Sequence, residues 1–233
     1  ARILELADGR GYARCYASCP DTNAVLLERL GPPLATYRPA AEGSGAHDAM
    51  LCATLLEAWH PLAANPGLTT GAEKARWLAE FVESGWQRLG TPCSRDLVDR
   101  ILARCAEREA AHDDARCVLV HGDPHAFNAL LDPDADPARE QCRFVDPDGL
   151  FAEPEYDLGV IAREWSDAAY LADPVAEDAR RCAHLAALTG LDAQAASSWG
   201  AIERVSTALV CLEIGEREAG ERLLCAAAAL DGA

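Results

Sequence analysis

His121, Asp123, Asn128 and Asp146 are the residues whose types and spacing can do chemistry together. Asp123 brings a carboxylate, Asn128 an amide oxygen five residues later, and Asp146 a second carboxylate further on. Phosphoryl transfer asks for such a set. It requires little covalent work from the protein: an in-line nucleophile, a divalent cation on the phosphates, and a carboxylate that orients and deprotonates the acceptor hydroxyl. Mg²⁺ takes oxygen ligands in near-octahedral geometry and prefers one or two carboxylates plus phosphate and water. Asn128 and Asp146 supply the amide and carboxylate oxygens, which leaves Asp123 off the metal and facing the acceptor.

Local elements must bring these residues together. Residues 117–120 form a short β-type run that leads straight into His121. Ala129–Leu131 and residues 142–145 are two more such runs, joined by a polar turn over 132–140, and predict a hairpin. The hairpin places Asn128, just before it, close to Asp146, just after it. The spacing His121-x-Asp123-x-x-x-x-Asn128 matches the H-x-D-x-x-x-x-N catalytic loop of kinases. Either aspartate alone reads as an ordinary turn residue. The combination with His121, Asn128, the hairpin and the turn Asp146-Pro147-Asp148-Gly149 does not.

Other metal chemistries fit less well. His121 and His125 are four apart, but Gly122 and Pro124 between them break the helix a zinc pair would need. Asp132, Asp134 and Asp136 mimic the start of a calcium loop, yet Pro137 stands where the glycine belongs and Arg143 where the glutamate belongs. Asp123-Pro124-His125 has the D-x-H form of dinuclear metallophosphoesterases, whose further G-D and G-N-H segments do not follow.

The flanking sequence is mostly helical in pattern. Leu51, Leu55, Leu56 and Trp59 share a helix face that stops before Pro61, after a short link through Gly43-Ser44-Gly45. Thr70 and Glu73 form a capping-box pattern ahead of a helix with Trp77, Leu78, Phe81, Val82 and Leu89 on its apolar face. Ser94 caps another through Leu97, Val98, Ile101, Leu102 and Cys105. Helices resume near Asp157 with Leu158, Ile161 and Trp165, continue over 175–189 to Gly190, restart at Asp192, and end with Leu223, Leu224 and Leu230. At the start, Ile3, Leu4 and Leu6 read as the end of a helix, and 12–18 and 24–30 as strands. Two strands do not make a stable sheet alone, and the chain opens at Ala1 with Met50 as its one methionine, so an upstream segment is expected.

Composition bounds the partners. The 233 residues, half of them hydrophobic, suffice for a real core, and no apolar run reaches the length of a membrane span. A net charge of -17 argues against nucleic acid or an anionic membrane and suits a cationic small molecule. The ten cysteines are scattered, without a C-x-x-C pair, and Cys52, Cys105, Cys182, Cys211 and Cys225 fall in apolar helical patterns. They read as buried free thiols in a reducing, cytoplasmic compartment.

The run from Val120 to Asn128 resembles the H-G-D-x-H-x-x-N signature of the aminoglycoside phosphotransferase family. Phe144-Val145-Asp146-Pro147-Asp148-Gly149 and Glu153-Pro154-Glu155-Tyr156-Asp157-Leu158 resemble the branch of streptomycin 6-kinases and hydroxyurea kinases, as does Val25-Leu26-Leu27-Glu28-Arg29-Leu30 its interlobe hinge. The resemblance implies an α+β, protein-kinase-like fold. Residues 1–31 would be a remnant of the nucleotide-binding lobe and hinge, and 32–233 a helical C-terminal lobe with a small β-hairpin. It further implies ATP and Mg²⁺ as cofactors, a small-molecule hydroxyl acceptor such as an aminoglycoside or aminocyclitol, and a role in antibiotic resistance or metabolism. Asp123 and His121 form the catalytic pair, with Asp123 as base and His121 shaping the loop; Asn128 and Asp146 are metal ligands. The backbone of Leu27, Glu28, Arg29 and Leu30 would meet adenine, Asp157 would brace the loop, and Asp148, Glu153 and Glu164 would face a cationic acceptor. The family's phosphate-holding lysine on an N-lobe strand has no counterpart, because the one lysine, Lys74, follows the hinge. This chain alone is therefore expected to transfer phosphate poorly. The alternative is an inactive pseudokinase or binding module.

Overall fold

The helix end expected at the start is α1 (Arg2–Ala7), closed by Asp8 in the left-handed conformation. In the computed structural model, which describes residues 1–37, 44–135, 141–163 and 173–231, an antiparallel ribbon follows, β1 (Cys15–Cys19) with β2 (Ala24–Leu27). Both strands are shorter than their β-type runs. Tyr12 leaves the ribbon early, is fully buried and bridges to Phe144, while the chain after Leu27 turns toward Gly31. A one-turn helix, α2 (Leu34–Tyr37), is too short to carry a readable periodicity.

The long helices begin where their caps predict. After α3 (Ser44–Ala58), Thr70 opens α4 (Gly71–Arg88) with a complete capping box: it accepts from the Glu73 N–H at 3.1 Å, and its own N–H donates to the Glu73 carboxylate at 2.8 Å. Ser94 caps α5 (Arg95–Ala110) through the Leu97 N–H. Three-residue strands then alternate with turns: β3 (Val118–Val120), β4 (Ala129–Leu131), β5 (Cys142–Phe144) and β6 (Leu150–Ala152). β4 and β5 form the expected hairpin. β6, which the sequence did not announce, pairs antiparallel with β3. Among the described residues, four helices follow: α6 (Glu155–Arg163), α7 (Pro174–Thr189), α8 (Ala193–Glu213) and α9 (Arg217–Asp231). Gly190 ends α7 at φ 77° and Asp192 caps α8.

Two apolar clusters hold these elements. One joins α4, α5, α8 and α9 through Leu78, Val82, Ile101, Trp199 and Val205. The other joins α1, α3, the hairpin and α6 through Leu4, Leu55, Phe144, Leu158 and Ile161. α6 lies against α8 with Gly159 at the contact, where an added Cβ would stand 2.3 Å from the Trp199 Cβ. Gly159→Ala is expected to destabilise the protein by about 1–3 kcal/mol, the usual cost of overpacking. A denaturant melt would show it as a lower midpoint with an unchanged slope.

Some expected core residues lie outside it. Leu56 and Trp77 are half exposed. All ten cysteines are free, but Cys225 is exposed and Cys211 only partly covered, so the helical pattern did not guarantee burial of the thiols. Trp165 lies outside the described residues, as does Gly43. No described helix is long and apolar enough to cross a membrane.

Candidate active site

β3 delivers the chain to a loop held from below by Asp157, in the first turn of α6. The two oxygens of Asp157 accept the N–H groups of His121 and Gly122, each at 2.9 Å, and Trp59 adds an indole N–H at 2.8 Å. Burial pushes the Asp157 carboxyl up to about 6, and the three donors pull against that rise. Both of its oxygens act as acceptors in these three bonds, as those of a carboxylate do.

His121 has no exposed surface. Its ring stacks on Tyr12 at 5.7 Å and meets Phe144 edge-on. Nδ1 accepts the Asp123 N–H at 3.1 Å, so the ring proton sits on Nε2, which donates to the Val145 carbonyl at 3.1 Å. Burial lowers its pKa to about 4 and keeps the ring neutral. Of the expected catalytic pair, His121 is thus a splint between the loop and the metal turn rather than a group that reaches substrate.

Asp123 retains a partly exposed side chain, 32% open to solvent. One of its oxygens takes an N–H from Arg163, at the end of α6, and the other lies 3.2 Å from His125 Nε2. His125 Nδ1 accepts the Phe127 N–H, which fixes the proton on Nε2 and points it at Asp123. Burial works to raise the Asp123 carboxyl, but the His125 bond and the Arg163 charge outweigh it and hold it at about 2. Arg163 also approaches Glu203 of α8 at 3.5 Å. No motif marks Arg163: it stands forty residues from Asp123, and only the start of α6 announced where it would lie.

The hairpin pairs the backbone next to the proposed metal ligands. The Val145 N–H donates to the Asn128 carbonyl at 2.9 Å, which places Asp146 one residue beyond Asn128's direct partner. Asn128 Nδ2 donates to the Asp123 carbonyl at 3.1 Å, so Oδ1 is the amide atom left for a cation. Asp146 is exposed and adopts φ 55°, a left-handed conformation uncommon outside glycine and turned to use at functional sites. Gly122 permits the close approach of loop and turn, since a Cβ there would lie 2.7 Å from the Asp148 Cβ. An amide oxygen and a carboxylate in an open turn suit Mg²⁺ better than a soft metal.

The hinge residues lie beside the same hairpin. The Glu28 N–H bonds the Arg14 carbonyl, the Gly31 N–H donates to the Leu131 carbonyl at 2.8 Å, and the Leu131 N–H to Pro32 at 3.1 Å. Gly31, the residue after this segment, therefore meets β4 about 10 Å along the strand from Asn128, at roughly 3.3 Å per strand residue. The Glu28 side chain reaches Arg143 of β5.

The acidic residues expected around the acceptor separate. Asp148 is exposed in the metal turn. Glu153 is a correction: it is buried, bonded to the Trp199 indole at 2.8 Å and to Arg108 at 3.2 Å, because α5 and α8 close over it. It ties helices together and does not line the cleft. Glu164 lies outside the described residues.

Next to the metal turn is an open cavity of about 760 Å³, lined by Thr70, Glu73, Lys74, Trp77 and Leu150 among others. Leu150 follows Gly149, whose N–H donates to the His121 carbonyl at 2.9 Å. Trp77, half exposed, stacks on Phe81, and the Lys74 ammonium sits 4.8 Å over its ring.

No protein-family model and no curated protein matches the chain. Solved structures do. A choline/ethanolamine kinase family protein from Mesorhizobium loti aligns over 100% of this chain and 76% of its own, at 17% identity and a TM-score of 0.63. Choline kinase from Cryptosporidium parvum aligns over 99% and 76%, at 11% identity and 0.61. An aminoglycoside phosphotransferase from Streptomyces rimosus, solved with ADP and streptomycin, aligns over 86% and 77%, at 19% identity and 0.55. The fold is protein-kinase-like, with a helical C-terminal lobe and small sheets.

Proposed function

We propose that this protein moves the γ-phosphate of Mg·ATP to a hydroxyl of a small, cationic molecule. The observation that carries the reading is the bond from the Val145 N–H to the Asn128 carbonyl, which pairs the backbone of Asn128 with the residue before Asp146, while the partly exposed Asp123 stands on the neighbouring loop. Asn128 Oδ1 and Asp146 would hold Mg²⁺, which when bound neutralises phosphate charge. Asp123 would accept the hydroxyl proton as the new P–O bond forms, with His121 fixing the loop against the metal turn. The hinge backbone at Leu27–Leu30 would take the base. Kinases of this fold solved with streptomycin or named for choline support a cationic acceptor, as does the charge of -17.

The test is ATP consumption with Mg²⁺ and a panel of streptomycin, kanamycin, choline, ethanolamine and hydroxyurea. Turnover with at least one amine-bearing acceptor is expected, slow for this chain because it lacks the phosphate-holding lysine, and nucleotide binding without any turnover favours a second reading. That reading, a binding module, draws on two observations. Lys74 lies on α4 over Trp77, away from any phosphate-holding strand, and Arg163 holds Asp123 too acidic to be a strong proton acceptor unless the acceptor displaces it. With an active acceptor in hand, Trp77→Ala is expected to raise its KM roughly 5-fold, the worth of about 1 kcal/mol of cation–π contact, and to leave the KM for ATP unchanged. An unchanged acceptor KM would remove Trp77 from the acceptor site.

A further inference from the structure

The loop from α5 to β3 gathers His112, Asp114 and Cys117 within six residues. One donor atom from each lies within 4.8 Å of the others, and among the described residues no other three His, Cys, Asp or Glu side chains are grouped this way. We propose that these three side chains bind a zinc-class divalent cation, in a site independent of the phosphoryl-transfer reading.

The donor set points to the metal. An imidazole nitrogen, a carboxylate oxygen and a thiolate select zinc or cobalt over magnesium or calcium, which avoid sulfur. The spacing agrees. His112 Nδ1 stands 3.7 Å from Cys117 Sγ. A tetrahedral ion with its usual bond lengths to nitrogen and sulfur holds those donors about 3.6 Å apart. Asp114 Oδ1 is 3.0 Å from the other ring nitrogen, on a side chain 78% exposed, so rotation of that side chain suffices to offer an oxygen. Water completes the fourth position.

The surroundings favour a cation. The carboxylates of Asp114, Glu153 and Asp113 lie near the Cys117 sulfur and attract a dication; the thiol proton leaves to solvent as the metal–sulfur bond forms. Arg116, the basic residue of the loop, is turned toward Glu155 at 2.9 Å. Cys117 is 4% exposed and its Sγ lies 3.3 Å from the Asp113 carbonyl, so the sulfur is held in place before any ion arrives. An ion here would pin the end of α5 to the start of β3, the strand that runs into His121.

Titration of the purified chain with Co²⁺ tests the site without a substrate. The expected result is one equivalent bound with near-ultraviolet thiolate-to-cobalt absorption, competed away by Zn²⁺. Cys117→Ser should abolish that absorption, and Asp114→Ala should weaken binding about 10-fold. Asp146→Ala, in the cleft, should leave the absorption unchanged. Absence of the absorption, or its survival in Cys117→Ser, overturns the proposal. If the buried serine variant does not fold, the exposed Asp114 position decides: affinity unchanged in Asp114→Ala overturns the site, and weakened affinity supports it.

Discussion

Asp123→Ala is expected to lower acceptor phosphorylation by about 10³-fold while Mg·ATP still binds, the scale of losing a positioned general base. The separation follows from how the loop is held. Asn128 bonds the Asp123 backbone carbonyl rather than its side chain, and Asp157 grips the N–H groups of His121 and Gly122. Removing the carboxylate therefore leaves the loop and the proposed metal ligands where they are. Arg163 keeps Glu203 as a partner, so the variant does not strand a buried cation. Steady-state rates with the active acceptor, beside calorimetric ATP titrations, check both halves. A rate near that of the unaltered protein would mean that the proton goes elsewhere.

The second large effect is expected at Asp146. Asp146→Ala should weaken Mg²⁺-dependent ATP binding on the order of 100-fold, the scale of a lost charge-assisted contact of about 2–3 kcal/mol. Alanine changes two things there, because residue 146 sits at φ 55°. Asparagine tolerates that conformation and carries no charge. Asp146→Asn should thus show most of the loss if the carboxylate matters, and little if the alanine result came from backbone strain. Titrations with and without Mg²⁺ distinguish the cases, since only the magnesium-dependent part should fall.

What the sequence disclosed was local. The Thr70–Glu73 capping box, the Ser94 and Asp192 caps and the hairpin around the 132–140 turn depend on residues a few positions apart, and each stands where its chemistry put it. The same locality pairs the backbone of Asn128 with Val145, the residue before Asp146. The remainder depends on partners distant in the chain. Glu153 reads as a surface acid beside a turn until α5 and α8 supply Arg108 and Trp199 to bury it. His121 reads as shaping the loop, but the partners that enclose its ring, Tyr12 and Phe144, come from distant segments. Arg163 has no motif, and Trp77 sits on the apolar side of an amphipathic pattern that does not say where a neighbouring helix stops covering it. β6 is three residues without alternation, visible only once β3 pairs with it. The shared fold identifies a protein-kinase-like architecture common to choline kinases and aminoglycoside phosphotransferases, and the streptomycin 6-kinase branch within it rests on the resemblance of the 25–30 and 144–158 segments.

The most direct measurement is a crystal structure of the chain grown with Mg²⁺ and a non-hydrolysable ATP analogue. The account predicts an ion bridging the phosphates to the oxygens of Asn128 and Asp146, the base against residues 27–30, and the terminal phosphate facing Asp123. A nucleotide bound away from these residues, or an ion that avoids both Asn128 and Asp146, would contradict it.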